Sequence, residues 1–204
     1  PKFETISEIL NLIKQLNKDR DVTGIMVQMP LPSDLRDRTD EILGAIALEK
    51  DVDGLTGKGK FLPATVKAVL DILDQLSISS NQLSDKRVVV VGRSRIVGRP
   101  LAAELVRRGA KVTVAHSQTP NLAEVTRQGE ILVSATGVTG LISQDMVKEG
   151  AVVIDVGEPR GDVREEVRQI ASWVTPVPGG VGPVTVACLL ENVVEAIDNM
   201  INLS

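Results

Sequence analysis

The sequence has no tyrosine, one tryptophan and two phenylalanines, and it contains one cysteine and one histidine in 204 residues. With Cys188 as the only cysteine, an intrachain disulfide and a metal cluster built from cysteines are both excluded. No apolar run is long enough for a transmembrane helix or a signal peptide. We therefore expect a cytoplasmic protein without a membrane contact, or an organellar one whose targeting sequence has been removed.

Charge and hydrophobicity narrow the class of protein further. Acidic residues outnumber basic ones, 27 against 23, so the formal net charge is −4 and the isoelectric point is about 5.2. An acidic chain of this kind argues against nucleic acid as a partner. Hydrophobic residues make up 43% of the sequence, which is enough for a globular core in one large or two small domains.

The later part of the chain alternates apolar runs with helical patterns. Five strands are predicted, at residues 87–91, 111–115, 131–134, 151–156 and 173–177. The helices predicted between them cover residues 99–108, 121–128, 144–148 and 163–171. Strands and helices that alternate at this spacing form a parallel sheet with right-handed crossovers, so we predict an α/β fold with a Rossmann-like domain.

The earlier part of the chain predicts a smaller α/β domain, and a polar stretch at residues 77–86 is the best candidate for the boundary. Gly24 to Met29 is predicted as a buried strand that ends at Pro30. Helical spacing of apolar residues recurs in roughly the first eighteen residues and in residues 39–48, 66–76 (with Thr65 as N-cap) and 185–201. The predicted domains are residues 1–64, residues 66–183, and a C-terminal helix at 184–204 that returns to the first domain.

The predicted strand at 87–91 runs into a glycine turn that opens a helix. Gly92 and Gly98 let the backbone of this turn come close to an anion, and the helix N-terminus attracts phosphate. The match to a dinucleotide fingerprint is imperfect, because Ser94 stands at the position of the second glycine and Val97 at that of the third. The motif alone leaves two interpretations open, a nucleotide site and an ordinary turn between a strand and a helix.

The end of the next predicted strand bears on the choice of cofactor. Enzymes that use NAD commonly carry a carboxylate there, which binds the ribose hydroxyls. Here the strand is followed by four residues without a carboxylate: His116, Ser117, Gln118 and Thr119. Arg93 and Ser117, with His116, could hold the 2′-phosphate of NADP by charge-assisted hydrogen bonds. A surface turn is the alternative for His116.

Polar residues in the first domain also have two interpretations. Gln28 lies at the carboxyl end of its predicted strand, where α/β proteins usually bind ligands, but a buried amide can also serve the structure alone. Asp51 and Asp53 stand beside Gly54, which is typical of a solvated turn. The alternative is a carboxylate that accepts hydrogen bonds from the N–H groups of a ligand.

Six segments, in order along nearly the whole chain, resemble the signature segments of the bifunctional methylenetetrahydrofolate dehydrogenase/methenyltetrahydrofolate cyclohydrolase family. They are residues 24–32 (GIMVQMPLP), 49–54 (EKDVDG), 61–65 (FLPAT), 91–100 (VGRSRIVGRP), 116–119 (HSQT) and 175–185 (TPVPGGVGPVT). The resemblance implies two reactions of one-carbon metabolism, which feeds purine biosynthesis. Hydride passes from 5,10-methylenetetrahydrofolate to NADP⁺, and water then opens the 5,10-methenyl cation to 10-formyltetrahydrofolate.

The resemblance also implies roles for individual residues. Gln28 and Asp53 would be the catalytic and folate-binding groups, with Asp53 bonding to the pterin ring. The loop that borders the folate and the nicotinamide would contribute Pro178, Gly179, Gly180 and Gly182. The cofactor NADP would be bound by Gly92, Arg93, Ser94, Ile96, Val97, Gly98, His116, Ser117 and Gly137, with Arg93 and Ser117 on the 2′-phosphate. No metal is implied, and the Rossmann-like domain would carry a homodimer contact.

The sequence departs from the family pattern in three places. Nothing in it matches the family's Tyr-x-x-x-Lys motif, whose lysine is the central catalytic group, above all for the hydrolysis step. The loops at residues 54–61 and 157–162 are shorter than is usual in the family. We therefore expect the sequence to represent part of a longer enzyme. Two alternatives stay open: a non-catalytic relative that binds NADP or a protein partner, and an NADP-dependent dehydrogenase of another small molecule.

Overall fold

The structure is a computed structural model that describes residues 5–78 and 83–201, and it divides into two compact units. In the described chain, the first unit comprises residues 5–64 with 187–201, and the second comprises residues 65–78 with 83–186. The boundary expected at residues 77–86 lies partly outside the described residues. No helix in the described part of the chain is long and apolar enough to cross a lipid bilayer.

The regular secondary structure of the first unit, in its described residues, consists of helices. It contains α1 (Ile6–Lys18), two 3-10 helices (Ser33–Arg38 and Leu48–Lys50) and α2 (Thr39–Gly44). A capping box starts α1, because the Thr5 hydroxyl accepts from the Glu8 N–H while the Glu8 carboxylate accepts from the Thr5 N–H. The predicted helix of the first eighteen residues is therefore confirmed from residue 6 onward, while the start of the prediction lies outside the described residues.

The side chains of Asn17 and Lys50 link the end of α1 to residues 45–50 by hydrogen bonds. The Asn17 amide donates to the Ala45 carbonyl at 2.7 Å, and its oxygen accepts from the Ala47 N–H at 2.9 Å. The ammonium of Lys50 is buried and donates to two carbonyl oxygens, those of Leu16 at 2.8 Å and Asp19 at 2.5 Å. These carbonyls lie at and beyond the end of the helix, where cations are favourable partners.

The prediction of a buried strand from Gly24 to Met29 is wrong. Among the described residues no strand pairs with this segment, and only one backbone bond is formed there, from the Ile25 N–H to the Lys50 carbonyl at 2.7 Å. Ile25 is buried, but Met26 and Gln28 are exposed. Apolar patterning reports which side chains are buried, whereas a strand also requires a neighbouring strand along its length.

The second unit is built on a sheet of five parallel strands within the described residues. The strands are β1 (Arg87–Val91), β2 (Lys111–Ala115), β3 (Ile131–Ser134), β4 (Val152–Asp155) and β5 (Trp173–Val174). Their order is β2-β1-β3-β4-β5, so the direction of winding changes between β1 and β3. Open α/β sheets bind ligands outside the carboxyl ends of their strands at such a switch point. The predicted α/β fold with a Rossmann-like domain is confirmed.

Burial explains why the central strands are uniformly apolar. The side chains of Val88 to Val91 on β1 and of Ile131 to Val133 on β3 are at most 2% exposed, because both faces of the sheet are covered. β2 is an edge strand, and of its five residues only Ala115 is buried. The core of the unit joins Val91 and Ala115 to Leu132, Val153 and other buried residues of the connecting segments.

The helices that follow residue 63 in the described part of the chain are α3 (Ala64–Gln75), α4 (Gly98–Arg107), α5 (Leu122–Thr126) and α6 (Val181–Ile201), with 3-10 helices at Gln144–Met146 and Glu165–Gln169. Thr65 is not an N-cap as predicted, since α3 already begins at Ala64. The helix predicted at residues 163–171 is shorter than expected. Val163 instead forms a parallel bridge with Ile142 and donates its N–H to the Asp155 carboxylate at 2.9 Å, which holds this residue outside the helix.

Candidate functional site

The glycine turn after β1 closes tightly over the switch point of the sheet. Gly92 has a φ of +121°, and a Cβ there would overlap the carbonyl oxygen of Ala135, which follows β3. A Cβ at Gly98 would overlap the carbonyl oxygen of Gly92. Both positions therefore require glycine. The turn is therefore packed directly against the backbone that follows β3.

Ser94, which replaces the second glycine of the usual fingerprint, accepts hydrogen bonds from amides at the start of α4. Its hydroxyl accepts hydrogen bonds from the Val97 N–H at 3.2 Å and the Gly98 N–H at 3.3 Å, and its carbonyl accepts from the Arg99 N–H at 3.0 Å. Such amides at a helix start are the groups that commonly bind phosphate. The N–H groups of Val97, Gly98 and Arg99 are already bonded to Ser94. We therefore expect side chains to contribute more than these amides to the binding of an anion at this turn.

The side chains predicted to recognise the cofactor gather where β1 and β2 end. The Gly92 N–H donates to the Ala115 carbonyl at 2.8 Å, so the two strand ends are adjacent. Arg93 is exposed, and its Nη2 donates to Oε1 of Gln118 at 3.1 Å. Ser117 is exposed beside Gln118. An arginine and a hydroxyl thus stand at the sheet edge where a ribose-binding carboxylate would stand in an NAD enzyme.

Two buried aspartates organise the loops that follow β3 and β4. Oδ2 of Asp162 accepts from the hydroxyls of Ser134 and Thr136, both at 2.8 Å, and from the Thr136 N–H at 2.7 Å. This fixes the backbone just before Gly137, an exposed residue with a φ of +68° that was predicted to contact the cofactor. Asp162 was not predicted as a site residue, because its partners lie 26 to 28 residues away in the sequence.

Asp155, the last residue of β4, is the second of these aspartates. Its Oδ1 accepts from the Gly157 and Asp162 N–H groups and its Oδ2 from the Val163 N–H, all at 2.9 Å. Burial raises the pKa of Asp155, and the nearby charge of Asp162 acts in the same direction, while the three N–H donors lower it. The carboxyl edge of the sheet is therefore a rigid frame held by two carboxylates.

The loop predicted to border the folate and the nicotinamide leads into α6. Pro178 and Gly179 are exposed, and Gly179 has a φ of +96°. A Cβ at Gly180 would overlap the Pro176 carbonyl, and one at Gly182 would overlap the carboxylate of Glu158. Glu158, which the sequence analysis did not single out, thus lies against the first turn of α6, where a negative charge is favourable.

In the first unit, the interpretation of Asp51 and Asp53 as a solvated turn is wrong. Asp51 is fully buried, and it accepts hydrogen bonds from the Leu55 N–H at 3.1 Å, the Thr56 N–H at 2.9 Å and the Thr56 hydroxyl at 2.6 Å. Gly54 has a φ of +67°, and a Cβ there would lie 2.6 Å from the backbone of Leu62 and Pro63. The loop therefore has a fixed shape.

Asp53 is the half-buried carboxylate that this loop presents. Burial raises its pKa from the ordinary 3.8 to about 6, and the negative charge of Asp51 adds to the shift, while a hydrogen bond from the Ala64 backbone lowers it. A carboxyl group with a pKa near neutrality and a free part of its surface is a common feature of functional sites. Structure and charge thus distinguish Asp53 from its buried neighbour.

Asn192 on α6 fastens the loop that carries Asp53 to the segment after it. Its Nδ2 donates to the Val52 carbonyl at 2.9 Å and to the Leu62 carbonyl at 3.2 Å, and the residue is buried. Val52 also belongs to a small apolar cluster with Phe61 and Ala196. A separation of 130 to 140 residues hides these bonds from any local sequence pattern.

Gln28 is exposed, and its amide donates to the carbonyl of Met29 at 3.0 Å. It is therefore not the buried structural amide that one of the two interpretations required. Its role towards a ligand stays a prediction.

Two family models match most of this chain. The model of the tetrahydrofolate dehydrogenase/cyclohydrolase NAD(P)-binding domain matches residues 63–201, and that of the catalytic domain of the same enzymes matches residues 1–53. This chain belongs to the tetrahydrofolate dehydrogenase/cyclohydrolase family. The family predicted from the six segments is confirmed.

Individual members of the tetrahydrofolate dehydrogenase/cyclohydrolase family are similar over most of the chain. The bifunctional protein FolD of Moorella thermoacetica is 47% identical in an alignment of 213 residues. The alignment includes 96% of this chain and 74% of that protein. The crystal structure of the bifunctional FolD enzyme from Campylobacter jejuni is 44% identical with a TM-score of 0.87, over 96% of this chain and 74% of that one. The Trypanosoma brucei enzyme, solved with NADP and an inhibitor, is 36% identical with a TM-score of 0.88, over 97% and 74%.

Proposed function

We propose that this protein catalyses two successive reactions on a folate: the NADP-dependent oxidation of 5,10-methylenetetrahydrofolate to 5,10-methenyltetrahydrofolate, and the hydrolysis of that product to 10-formyltetrahydrofolate. The proposal is based on the carboxyl ends of β1 and β2 in the second unit. There, in a member of this family, a glycine turn closes on the switch point, and Arg93 bonds to Gln118, which follows the exposed Ser117 in a segment without a carboxylate.

The cofactor side of the reaction uses the carboxyl ends of β1, β2 and β3. The turn that begins at Gly92 lies at the switch point, where α/β sheets bind ligands, and Arg93 and Ser117 supply a cation and a hydroxyl for a 2′-phosphate. Ser94, Ile96, Val97, Gly98, His116 and Gly137 complete the proposed cofactor contacts. NADP⁺, when bound, accepts the hydride. The protein orients the two rings, and hydride transfer itself needs little acid–base chemistry from side chains.

The folate side of the reaction is assigned to Asp53 and Gln28, with the loop of Pro178, Gly179, Gly180 and Gly182 beside the rings. With a pKa of about 6, Asp53 is ionised above that pH and can accept hydrogen bonds from the N–H groups of a pterin. The exposed amide of Gln28 offers both a donor and an acceptor to a ligand. Three hydrogen bonds to Asp51 hold the loop that presents Asp53.

The two activities require separate assays. The family resemblance assigns the hydrolysis step to the lysine of a Tyr-x-x-x-Lys motif, which these 204 residues do not contain. We therefore expect oxidation to follow from the residues assigned here, whereas hydrolysis must be measured on its own with 5,10-methenyltetrahydrofolate. The proposed setting is the cytoplasm, as a homodimer, and light scattering coupled to gel filtration measures the oligomeric state.

The deciding experiment adds 5,10-methylenetetrahydrofolate and NADP⁺ to the purified protein and follows the absorbance of the methenyl product. Turnover supports the proposal. Bound NADP without turnover would favour the non-catalytic relative, and turnover of another small molecule alone would favour the third alternative.

The assignment of Arg93 has a separate test. The change Arg93→Ala should weaken NADP⁺ much more than NAD⁺, because only NADP⁺ carries the extra phosphate. Equal losses for the two cofactors would contradict the role given to Arg93.

A further inference from the structure

We infer that Gln118 is a specificity-determining residue, whose carboxamide holds the guanidinium of Arg93 in place for the 2′-phosphate of NADP without neutralising its charge. The inference rests on the proposed function, because it concerns the same cofactor site. The sequence motifs indicated Arg93, Ser117 and His116 for the 2′-phosphate, but they gave no role to Gln118.

The two residues meet because their strands are adjacent and in register. Val91 at the end of β1 pairs with Ala115 at the end of β2, and the next residue, Gly92, still donates to the Ala115 carbonyl. Arg93 therefore leaves the sheet beside the turn that contains Gln118. Nη2 of Arg93 and Oε1 of Gln118 are 3.1 Å apart, within the range of a hydrogen bond.

The backbone that carries Gln118 is itself fixed. The Gln118 N–H donates to Nδ1 of His116 at 3.2 Å. The His116 N–H donates to the Thr119 hydroxyl at 2.9 Å, and the Thr119 N–H returns to the His116 carbonyl at 2.8 Å. His116 thus uses Nδ1 to shape the turn. The closed turn directs the Gln118 carboxamide to Arg93 and leaves Ser117 exposed beside it.

The chemistry of an amide explains why this residue type is suitable. A carboxamide oxygen accepts from a guanidinium and orients it, but it brings no negative charge to the site. A carboxylate at the same position would pair with Arg93 and would repel a phosphate, as like charges across a binding site do. Since Ser94 already satisfies amides at the start of α4, the free charge of Arg93 has the larger part in binding the anion.

The test compares three exposed substitutions by calorimetric titration with NADP⁺ and with NAD⁺. Gln118→Glu should raise the Kd for NADP⁺ about 30-fold, because it introduces an opposing charge, and should leave the Kd for NAD⁺ within about 3-fold. Gln118→Met removes the acceptor at similar volume and should raise the Kd for NADP⁺ roughly 3-fold. Gln169→Glu makes the same charge change on the 3-10 helix before β5, at the opposite edge of the sheet, and should change neither constant.

A second arm asks whether Gln118 acts through Arg93. In an Arg93→Ala background, Gln118→Met should have no further effect on the Kd for NADP⁺, whereas an equal effect in both backgrounds would overturn the inference. So would a wild-type preference for NADP⁺ that survives both Gln118 substitutions, and in that case the proposed function stands. A wild-type protein that binds NADP⁺ no better than NAD⁺ would overturn the inference together with the proposed cofactor.

Discussion

Each unit contains a pair of aspartates, and the two pairs differ in how fully the chain buries their carboxylates and bonds to them. At the sheet edge, Asp155 and Asp162 are both buried, and each accepts three hydrogen bonds from neighbouring loops. In the first unit, only Asp51 is buried and bonded in this way, while Asp53 stays half-buried with a pKa of about 6. A carboxylate surrounded by the chain's own donors builds structure, and one left partly open is available to a ligand.

The largest loss of stability is expected when Asp162, one of the two buried carboxylates at the sheet edge, is removed. Asp162→Ala leaves the hydroxyls of Ser134 and Thr136 and the Thr136 N–H without their acceptor, so the free energy of unfolding should fall by roughly 3 kcal/mol or more. Denaturant unfolding followed by the fluorescence of Trp173, the single tryptophan, measures this loss. Asp162→Asn is the matched control, since it keeps an acceptor and should lose less. A loss below about 1 kcal/mol for Asp162→Ala would show that the frame is not needed.

Removing the charge of the open carboxylate should damage activity rather than stability. Asp53→Asn is expected to lower kcat/KM for 5,10-methylenetetrahydrofolate about 30-fold at pH 7.5, because a neutral amide replaces an ionised acceptor. Its melting temperature should be unchanged or higher, since burial disfavours the charge that is removed. Asp37→Asn, an exposed change in the same unit, serves as the control. A lower melting temperature with unchanged kinetics would make Asp53 a structural residue.

The raised pKa of Asp53 also predicts how stability depends on pH. Between the ordinary pKa of 3.8 and the folded value of about 6, the native state holds a proton that the unfolded state has released. The contribution of Asp53 to stability is therefore complete below about pH 4 and declines as the pH rises through 6. Urea unfolding followed by circular dichroism from pH 4 to 7 should show this decline in the wild type and a flatter profile in Asp53→Asn. Parallel profiles would contradict the shift.

The smallest loss of stability is expected when one hydrogen bond to Asp51, the buried neighbour of Asp53, is removed. Thr56→Val removes the hydroxyl that donates to Asp51 at 2.6 Å but leaves the backbone donors, so stability should fall by about 1 kcal/mol. Thr39→Val removes a hydroxyl that bonds the Arg36 carbonyl at the surface and should change stability less. Equal losses in the two variants would mean that burial adds nothing to the Asp51 bond.

Local pattern predicted the central strands of the sheet well because their residues are buried on both faces. The bounds of β1, β2 and β3 are those expected from the apolar runs, while β5 ends sooner than predicted. The Thr175 hydroxyl accepts the Asp155 N–H at 2.6 Å, and Pro176 has no N–H to continue the ladder. Neither effect is visible in hydrophobic periodicity.

The parts of the site that sequence reasoning missed depend on distant partners. Asn192 bonds to residues more than a hundred positions earlier. Asp162, which follows β4, bonds to Ser134 at the end of β3. The glycine turn and the residues after β2 were found, because they form local motifs. The hydrogen bonds of Ser94 were not found, because a serine at a glycine position is only a departure from the motif in the sequence. The structure shows that its hydroxyl accepts from the Val97 and Gly98 amides.

The buried ammonium of Lys50 has a consequence for chemical labelling. An amine reagent such as acetic anhydride attacks a neutral, accessible amine, and this amine is enclosed and held by two carbonyl oxygens. Exposed lysines such as Lys58 and Lys60 should acetylate first, and Lys50 should react only when the first unit opens. Mass spectrometry of its acetylation over time would therefore time the opening of that unit, which has no tryptophan of its own to report it.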